Sequence, residues 1–181
     1  MVRKVSAKKL WQKILETRVA TGEPYISFID TIQKSLPESQ KKIGLKVHQS
    51  NLCSEITLPT NEERTAVCCL SSLNLETYDE WKTNNNFIPD VVRFLDNVLE
   101  YFINNAPDVL HRAKYSAMRE RSIGLGTMGF HSYLQSKKIP FGSALAKGQN
   151  ISMFRHIKLQ AEETSRKLAE EKGEAPDMVG T

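Results

Sequence analysis

Cysteine is scarce in this 181-residue chain, which holds three: Cys53, Cys68 and Cys69. An odd, low number does not make a secreted disulfide framework. A bridge between the neighbours Cys68 and Cys69 would also be geometrically strained. There is no C-x-x-C pair, and His48, His111, His131 and His156 are dispersed, which argues against a zinc site. No apolar run is long enough to span a bilayer. No signal-peptide core follows Met1-Val2-Arg3-Lys4, so a cytoplasmic protein without membrane contact is expected. The formal charge is +4 and the pI about 8.9. The basic residues are scattered, however, with only short groups such as Lys8-Lys9 and Lys41-Lys42. A nucleic-acid surface shows a concentrated basic stripe, so no direct nucleic-acid contact is expected. Internal repeats and low-complexity tracts are also lacking.

What is present is a 40% hydrophobic content, enough for one packed domain or a piece of a larger one. Residues 6 to 21 read as a helix capped by Ser6, with Leu10, Ile14 and Val19 on its apolar side and Gly22 as its stop. Tyr25 to Ile29 reads as a short buried strand, and 33 to 48 as an exposed lysine-rich connection. Residues 49 to 60 are extended or loop. Thr65 to Leu75, a nearly continuous small-apolar run, predicts a strand buried on both faces, as in α/β proteins. A helix with a wide apolar stripe begins at about residue 87 and closes at Asn104-Asn105-Ala106-Pro107. Helices are also expected over 126–136 and 150–172, the latter stopped by Gly173. Two strands and four helices do not close a parallel sheet. The end, Asp177-Met178-Val179-Gly180-Thr181, resembles no closing element. The chain is therefore read as a fragment.

The residues that carry chemistry lie in Asn51-Leu52-Cys53-Ser54-Glu55, with Cys68 fifteen residues after Cys53. Side chains at alternate positions share one side of an extended backbone, so Asn51, Cys53 and Glu55 can converge from an extended loop. A neighbouring carboxylate disfavours a thiolate, which argues against a cysteine-protease-like nucleophile. The absence of a close histidine points the same way. A neutral thiol beside a carboxylate base suits radical chemistry instead. The thiol gives up a hydrogen atom, and the carboxylate takes a proton from a substrate hydroxyl.

Gly124-Leu125-Gly126-Thr127-Met128-Gly129 satisfies the dinucleotide-binding pattern G-x-G-x-x-G. That motif needs a preceding strand and an acidic residue about twenty positions on. Arg119 to Ser122 are too polar for a core strand, and no Asp or Glu occurs from Phe130 to Phe154. The expectation is a glycine-permitted tight turn with close helix packing. Asp79, Glu80 and Lys82 read as a solvated turn, and Trp11 and Trp81 as packing residues.

The wording Gln49-Ser50-Asn51-Leu52-Cys53-Ser54-Glu55-Ile56, then Ala66-Val67-Cys68-Cys69-Leu70-Ser71-Ser72-Leu73-Asn74-Leu75, closely resembles the active-site region of the class I ribonucleotide reductase large (catalytic) subunit. Leu10 through Thr21-Gly22-Glu23-Pro24-Tyr25-Ile26, Arg121 to Phe130, and Leu168 to Gly173 match as well. The resemblance thus spans nearly the whole chain. Asn-Leu-Cys-x-Glu points to class I, since the adenosylcobalamin-dependent class II usually has Asn-Pro-Cys-x-Glu.

The resemblance implies an α/β fold, a ten-stranded barrel made of two five-stranded halves. Residues 1–181 would be a single fragment of it: the end of the first half, the active-site loop, and the start of the second half with Cys68 on its first strand. It implies that Cys53 becomes a thiyl radical and abstracts the 3′ hydrogen of the ribose. Glu55 takes the 3′-hydroxyl proton, Asn51 hydrogen-bonds the sugar, and the 2′-hydroxyl leaves as water. Cys68 would be one of two thiols that reduce the 2′ carbon, its partner lying upstream in the family. Aligning Leu70 to Leu75 selects Cys68 over Cys69, which is then a small core residue. The substrate would be a ribonucleotide, usually a diphosphate.

No cofactor is expected on this segment. The resemblance implies a radical from the metal cofactor, iron or manganese, of a small radical-generating subunit. Electrons would come from a thioredoxin- or glutaredoxin-like protein. The upstream redox cysteine, allosteric region, phosphate-binding loop, radical-relay tyrosines and C-terminal cysteine pair are expected on remaining segments of the large subunit. The chain would then act only as part of an assembly. The alternative is an inactive truncated remnant.

Overall fold

Ser6 accepts a hydrogen bond from Lys9 N at 3.4 Å and starts the first helix, α1 (Ala7–Thr21), which ends at Gly22. The computed structural model describes residues 4–178. Residues 1–3 and 179–181, on which the leader and chain-end expectations partly rest, lie outside that range. The expected helix forms, but none of its residues is buried. Leu10, Trp11, Leu15 and Val19 all face outward, so Trp11 does not pack as expected.

The strand expected over Tyr25–Ile29 is absent. Tyr25 and Phe28 are exposed, and Ile29 opens a helix, α2 (Ile29–Ser35). An exposed apolar run cannot act as a buried strand without neighbours to pair with. The connection after it is not all exposed either. It contains a short helix, α3 (Glu38–Lys42), with Ser39 and Gln40 buried, and a fully buried Val47.

The sheet has two parallel strands among the described residues, β1 (Cys69–Asn74) and β2 (Ile123–Met128). Their register runs from Cys69 opposite Ile123 to Asn74 opposite Met128. Parallel strands need a long crossover. Here it comprises α4 (Tyr78–Trp81), α5 (Phe87–Asn105) and α6 (His111–Glu120). β1 is shorter than expected and is not buried on both faces: Leu73 is buried but Leu70 is 52% exposed. β2 corrects the reading of 126–136 as one helix. The helix there is α7 (Phe130–Ser136), and two of the three glycines lie in the strand rather than in a tight turn. A Cβ on Gly124 would sit 2.4 Å from Leu70 Cδ2, so the glycine allows Leu70 of β1 to lie close against β2. Helix α6 was not expected at all.

The last helix, α8 (Ala144–Lys172), is longer than its expected 150–172 and ends at Gly173. It packs on α5. Ile88, Val92 and Trp81 join Leu73, Leu75, Leu134, Met153, Ile157 and Leu168 in the main core. Trp81 is a packing residue as expected, and its Nε1 donates to Asn74 O at 2.9 Å. A second, smaller cluster of Leu99, Ile103 and Ala117 packs against Val67 and Cys69. No helix among the described residues is long and apolar enough to cross a membrane.

Candidate active site

Two irregular arms, residues 45–50 and 56–60, carry the Asn-x-Cys-x-Glu segment between them. They are tied across by hydrogen bonds. Thr60 N donates to Lys46 O at 3.3 Å. His48 Nδ1 lies 2.6 Å from Thr60 O; a carbonyl only accepts, so this ring nitrogen carries the proton. Ser50 Oγ donates to Ile56 O at 2.7 Å and closes the neck of the loop.

Beyond the neck the chain does not stay extended. Ser54 N donates to Asn51 O at 3.0 Å, and Ser54 takes a left-handed φ of 65°. This turn corrects the extended-loop geometry, but it still brings two of the expected residues together. Asn51 Nδ2 donates to Glu55 Oε1 at 2.7 Å, while Asn51 Oδ1 accepts from Ile56 N at 3.1 Å. Both ends of the amide are thus engaged, which fixes its orientation. Cys53 is exposed at the crest of the turn.

Cys68 is exposed immediately before β1. It lines a cavity of about 690 Å³ whose wall also includes His48, Asn51, Ile56, Arg64 and Ala66. Cys53 and Glu55 are not in that wall. Cys69 points elsewhere, into the cluster of Leu99, Ile103 and Ala117. Burial pushes its thiol pKa up, and the neighbouring Cys68 adds to the shift. Adjacent residues leaving an extended backbone face opposite sides, so the two thiols have different surroundings.

Sequence reasoning missed the group behind this wall. Arg64, four residues before Cys68, is 6% exposed. It donates to Asp177 Oδ2 at 2.6 Å and lies 3.5 Å from Glu120 Oε1. Arg119 binds the other Asp177 oxygen at 2.6 Å, and Ser116 Oγ donates to Glu120 at 2.8 Å. Burial alone would lower the Arg64 pKa, but the Asp177 hydrogen bond and charge outweigh it and hold the guanidinium above its ordinary value. Glu120 is pushed up by burial despite Ser116 and Arg64. In the sequence, Glu62-Glu63-Arg64 reads as surface charge, and nothing there marks Arg64 as buried.

A larger cavity, about 840 Å³, lies against α2, α5 and α8. Part of its charged wall is paired: Asp96 bonds Arg121 at 2.7 Å and also Lys172. Burial would raise the Asp96 pKa, yet these two cations together bring it below its ordinary value. No group of three or more His, Cys, Asp or Glu among the described residues is placed to hold a metal ion. The G-x-G-x-x-G glycines lie inside β2 and at the start of α7.

A parallel strand pair with helical crossovers, preceded by a loop bearing an amide, a thiol and a carboxylate, is a fragment of an α/β barrel. The chain belongs to the ribonucleotide reductase family: the model "Ribonucleotide reductase, barrel domain" matches residues 1–181. The ribonucleoside-diphosphate reductase large subunit of Invertebrate iridescent virus 3 is 53% identical over 177 residues, which is 98% of this chain and 28% of that protein. The large chain of Schizosaccharomyces pombe is 34% identical over 180 residues, 99% of this chain and 22% of its relative. Among solved structures, the Actinobacillus ureae class Id ribonucleotide reductase alpha subunit superposes with a TM-score of 0.88 at 38% identity, covering 96% of this chain and 34% of that one. The chain thus spans about a third or less of the length of these proteins.

Proposed function

We propose that this chain is the segment of a ribonucleotide reductase large subunit that carries the radical chemistry, acting on ribonucleoside diphosphates. The observation that supports it best is the turn at residues 51–55. It leaves Cys53 exposed between Asn51 and Glu55, whose side chains are 2.7 Å apart. Glu55 can accept the proton of a ribose 3′-hydroxyl that replaces the Asn51 amide as its hydrogen-bond partner. Asn51 is then placed to bond the same sugar. Cys53, as a thiyl radical, takes the 3′ hydrogen, and the 2′-hydroxyl departs as water. Cys68 and a second thiol outside this chain supply two electrons and two protons, one of which leaves with the 2′-hydroxyl as water, and become a disulfide. Glu55 returns its proton to the 3′ oxygen, and Cys53 returns the hydrogen to C3′ and is a thiyl radical again. Thiol–disulfide exchange with a thioredoxin- or glutaredoxin-like protein regenerates the two reducing thiols.

The other parts are proposals of the same reading. The radical originates with a small partner subunit whose metal, iron or manganese, supplies the oxidising equivalent. The remaining segments of the large subunit complete the barrel. Cytoplasmic location follows from the need for reduced thiols.

The test is turnover of a ribonucleoside diphosphate by the chain assembled with the rest of a large subunit and its small subunit. Cys53→Ser is expected to abolish turnover without unfolding the protein. Cys68→Ser should block multiple turnovers, while Cys69→Ser should keep most activity. If Cys69→Ser stops reduction and Cys68→Ser does not, the assignment of the reductive thiol is wrong. If the wild-type assembly is inactive, the chain is a remnant.

A further inference from the structure

We infer that Gln33 is the positioning residue that holds the active-site loop to the body of the protein, an inference that rests on the function proposed above. The loop has an unusual attachment. Its arms are bonded to each other, but among the described residues no hydrogen bond joins either arm to β1 or β2. The rising arm is held instead by α2 and α3. Leu45 N donates to Gln40 O of α3 at 3.0 Å. Two residues on, the Gln33 side chain from α2 engages both backbone groups of Val47. Oε1 accepts from Val47 N at 3.2 Å, and Nε2 donates to Val47 O.

Along one edge a primary amide sets an N–H donor beside its C=O acceptor, the same pair that a neighbouring strand residue would offer. Gln33 therefore does for the arm what a missing ladder would do. Two contacts on one residue fix the rotation of the arm about its own axis as well as its place. Val47 is fully buried, so its N–H and C=O cannot turn to water if the amide is removed. Three residues separate Val47 from Asn51. A rotation of the arm at Val47 carries through the Ser50–Ile56 neck to the turn that bears Asn51, Cys53 and Glu55. Gln33 touches none of the reacting groups. Its contribution is to orientation, where small misplacements cost large factors in rate.

The experiment uses the complete assembly: the chain with the rest of its large subunit and the small subunit. Two variants are compared with wild type. Gln33→Met keeps the length and removes both hydrogen bonds. Gln33→Glu keeps an acceptor and regains a donor only when protonated. Two readouts are taken, amide hydrogen exchange across residues 45–58 and turnover of a ribonucleoside diphosphate.

For Gln33→Met, exchange at Val47 is expected to rise by about tenfold or more. The kcat should fall by about tenfold or more with KM within about twofold of wild type. For Gln33→Glu, a carboxyl with an ordinary pKa of about 4.3 is ionised at assay pH, so Val47 O loses its donor and faces a charge, and kcat should fall at least as far as in Gln33→Met.

Unchanged exchange at Val47 in Gln33→Met overturns the inference. So does faster exchange with unchanged kcat in an active assembly, or a Gln33→Glu variant as active as wild type. If the wild-type assembly never turns over, the proposed function fails. Loosened exchange in Gln33→Met then still upholds the anchoring role.

Discussion

Removing the Asp177 carboxylate should unfold the protein several degrees earlier than wild type. In Asp177→Ala, Arg64 loses its 2.6 Å partner while remaining in a site where only 5% of its side chain meets solvent. Breaking a buried ion pair from one side costs about 3–5 kcal/mol, because the remaining charge is stranded. Two features place the effect near the lower end. Glu120 still lies 3.5 Å from Arg64, and the second ligand of Asp177, Arg119, is 35% exposed and can turn to water. Its loss adds no more than about 1 kcal/mol. A loss of about 3 kcal/mol in a domain of this size lowers Tm by roughly 6–12 °C. Thermal unfolding followed by circular dichroism reads it directly. The triple variant Arg64→Met/Asp177→Leu/Glu120→Gln removes all three buried charges of the cluster and should recover more than half of the loss. A single variant within about 2 °C of wild type, or a triple variant less stable than the single, refutes the reasoning. Cys68 lies four residues from Arg64, so its alkylation rate should rise in Asp177→Ala while that of Cys53, on a separate turn, stays constant.

Three further outcomes are expected. Asp79 accepts from Lys137 at 2.7 Å and Lys82 at 2.6 Å, and their hydrogen bonds pull its carboxyl from 3.8 to about 2. A lowered acid stabilises the fold above its ordinary value, and that contribution is lost as pH falls through about 2. Urea midpoints of wild type should therefore drop more steeply between about pH 4 and about pH 2 than those of Asp79→Asn, and parallel curves would refute the coupling. Gly129 has φ +78°, and a Cβ there would meet Asn74 Oδ1 at 2.5 Å and Glu76 N at 3.0 Å. Gly129→Ala should cost about 1–3 kcal/mol, more than Gly124→Ala, whose Cβ meets the movable end of Leu70; the reverse order in chemical denaturation would overturn this. Leu99, fully buried beside Cys69, should lose about 2–5 kcal/mol as Leu99→Ala, which the same denaturation series measures.

Helices with a strong periodic signal were legible in the sequence, and those formed by context were not. Helix α5 shows why the period is informative but incomplete. Ile88, Val92, Leu95, Leu99 and Ile103 recur at helical spacing and are buried. Phe94 and Val98 belong to the same apolar stripe but lie outside the packed face. The stripe was wider than the surface available to cover it. β2 was hidden for the opposite reason. Its sequence, Ile123-Gly124-Leu125-Gly126-Thr127-Met128, is poor in strand formers, and glycines weaken an isolated strand. The strand exists because β1 lies beside it and needs glycine for close approach. Propensity reads each segment alone, whereas parallel pairing is settled across 54 residues of separation between Cys69 and Ile123.

The candidate site divides along the same physical line. Asn51, Cys53, Glu55 and Cys68 could be named because their side chains carry distinct chemistry and stand close together in the sequence. The residues that hold them could not. Gln33 is one glutamine in a polar lysine-bearing stretch, and Arg64 follows two glutamates like any surface charge. Their roles come from partners distant in sequence: Val47 fourteen residues away and Asp177 a further 113 from Arg64. A polar side chain becomes structural when the fold buries it and completes its hydrogen bonds, because an incomplete set there costs more than it would at the surface. For the same reason these residues should be intolerant of substitution despite ordinary-looking sequence. The exposed Cys53 should be the reverse, tolerant for stability and intolerant for turnover. A scan that measures both quantities would separate the two groups: Gln33 should lose rate by loosening the loop, Arg64 and Asp177 should lose stability first, and Cys53 should lose rate alone.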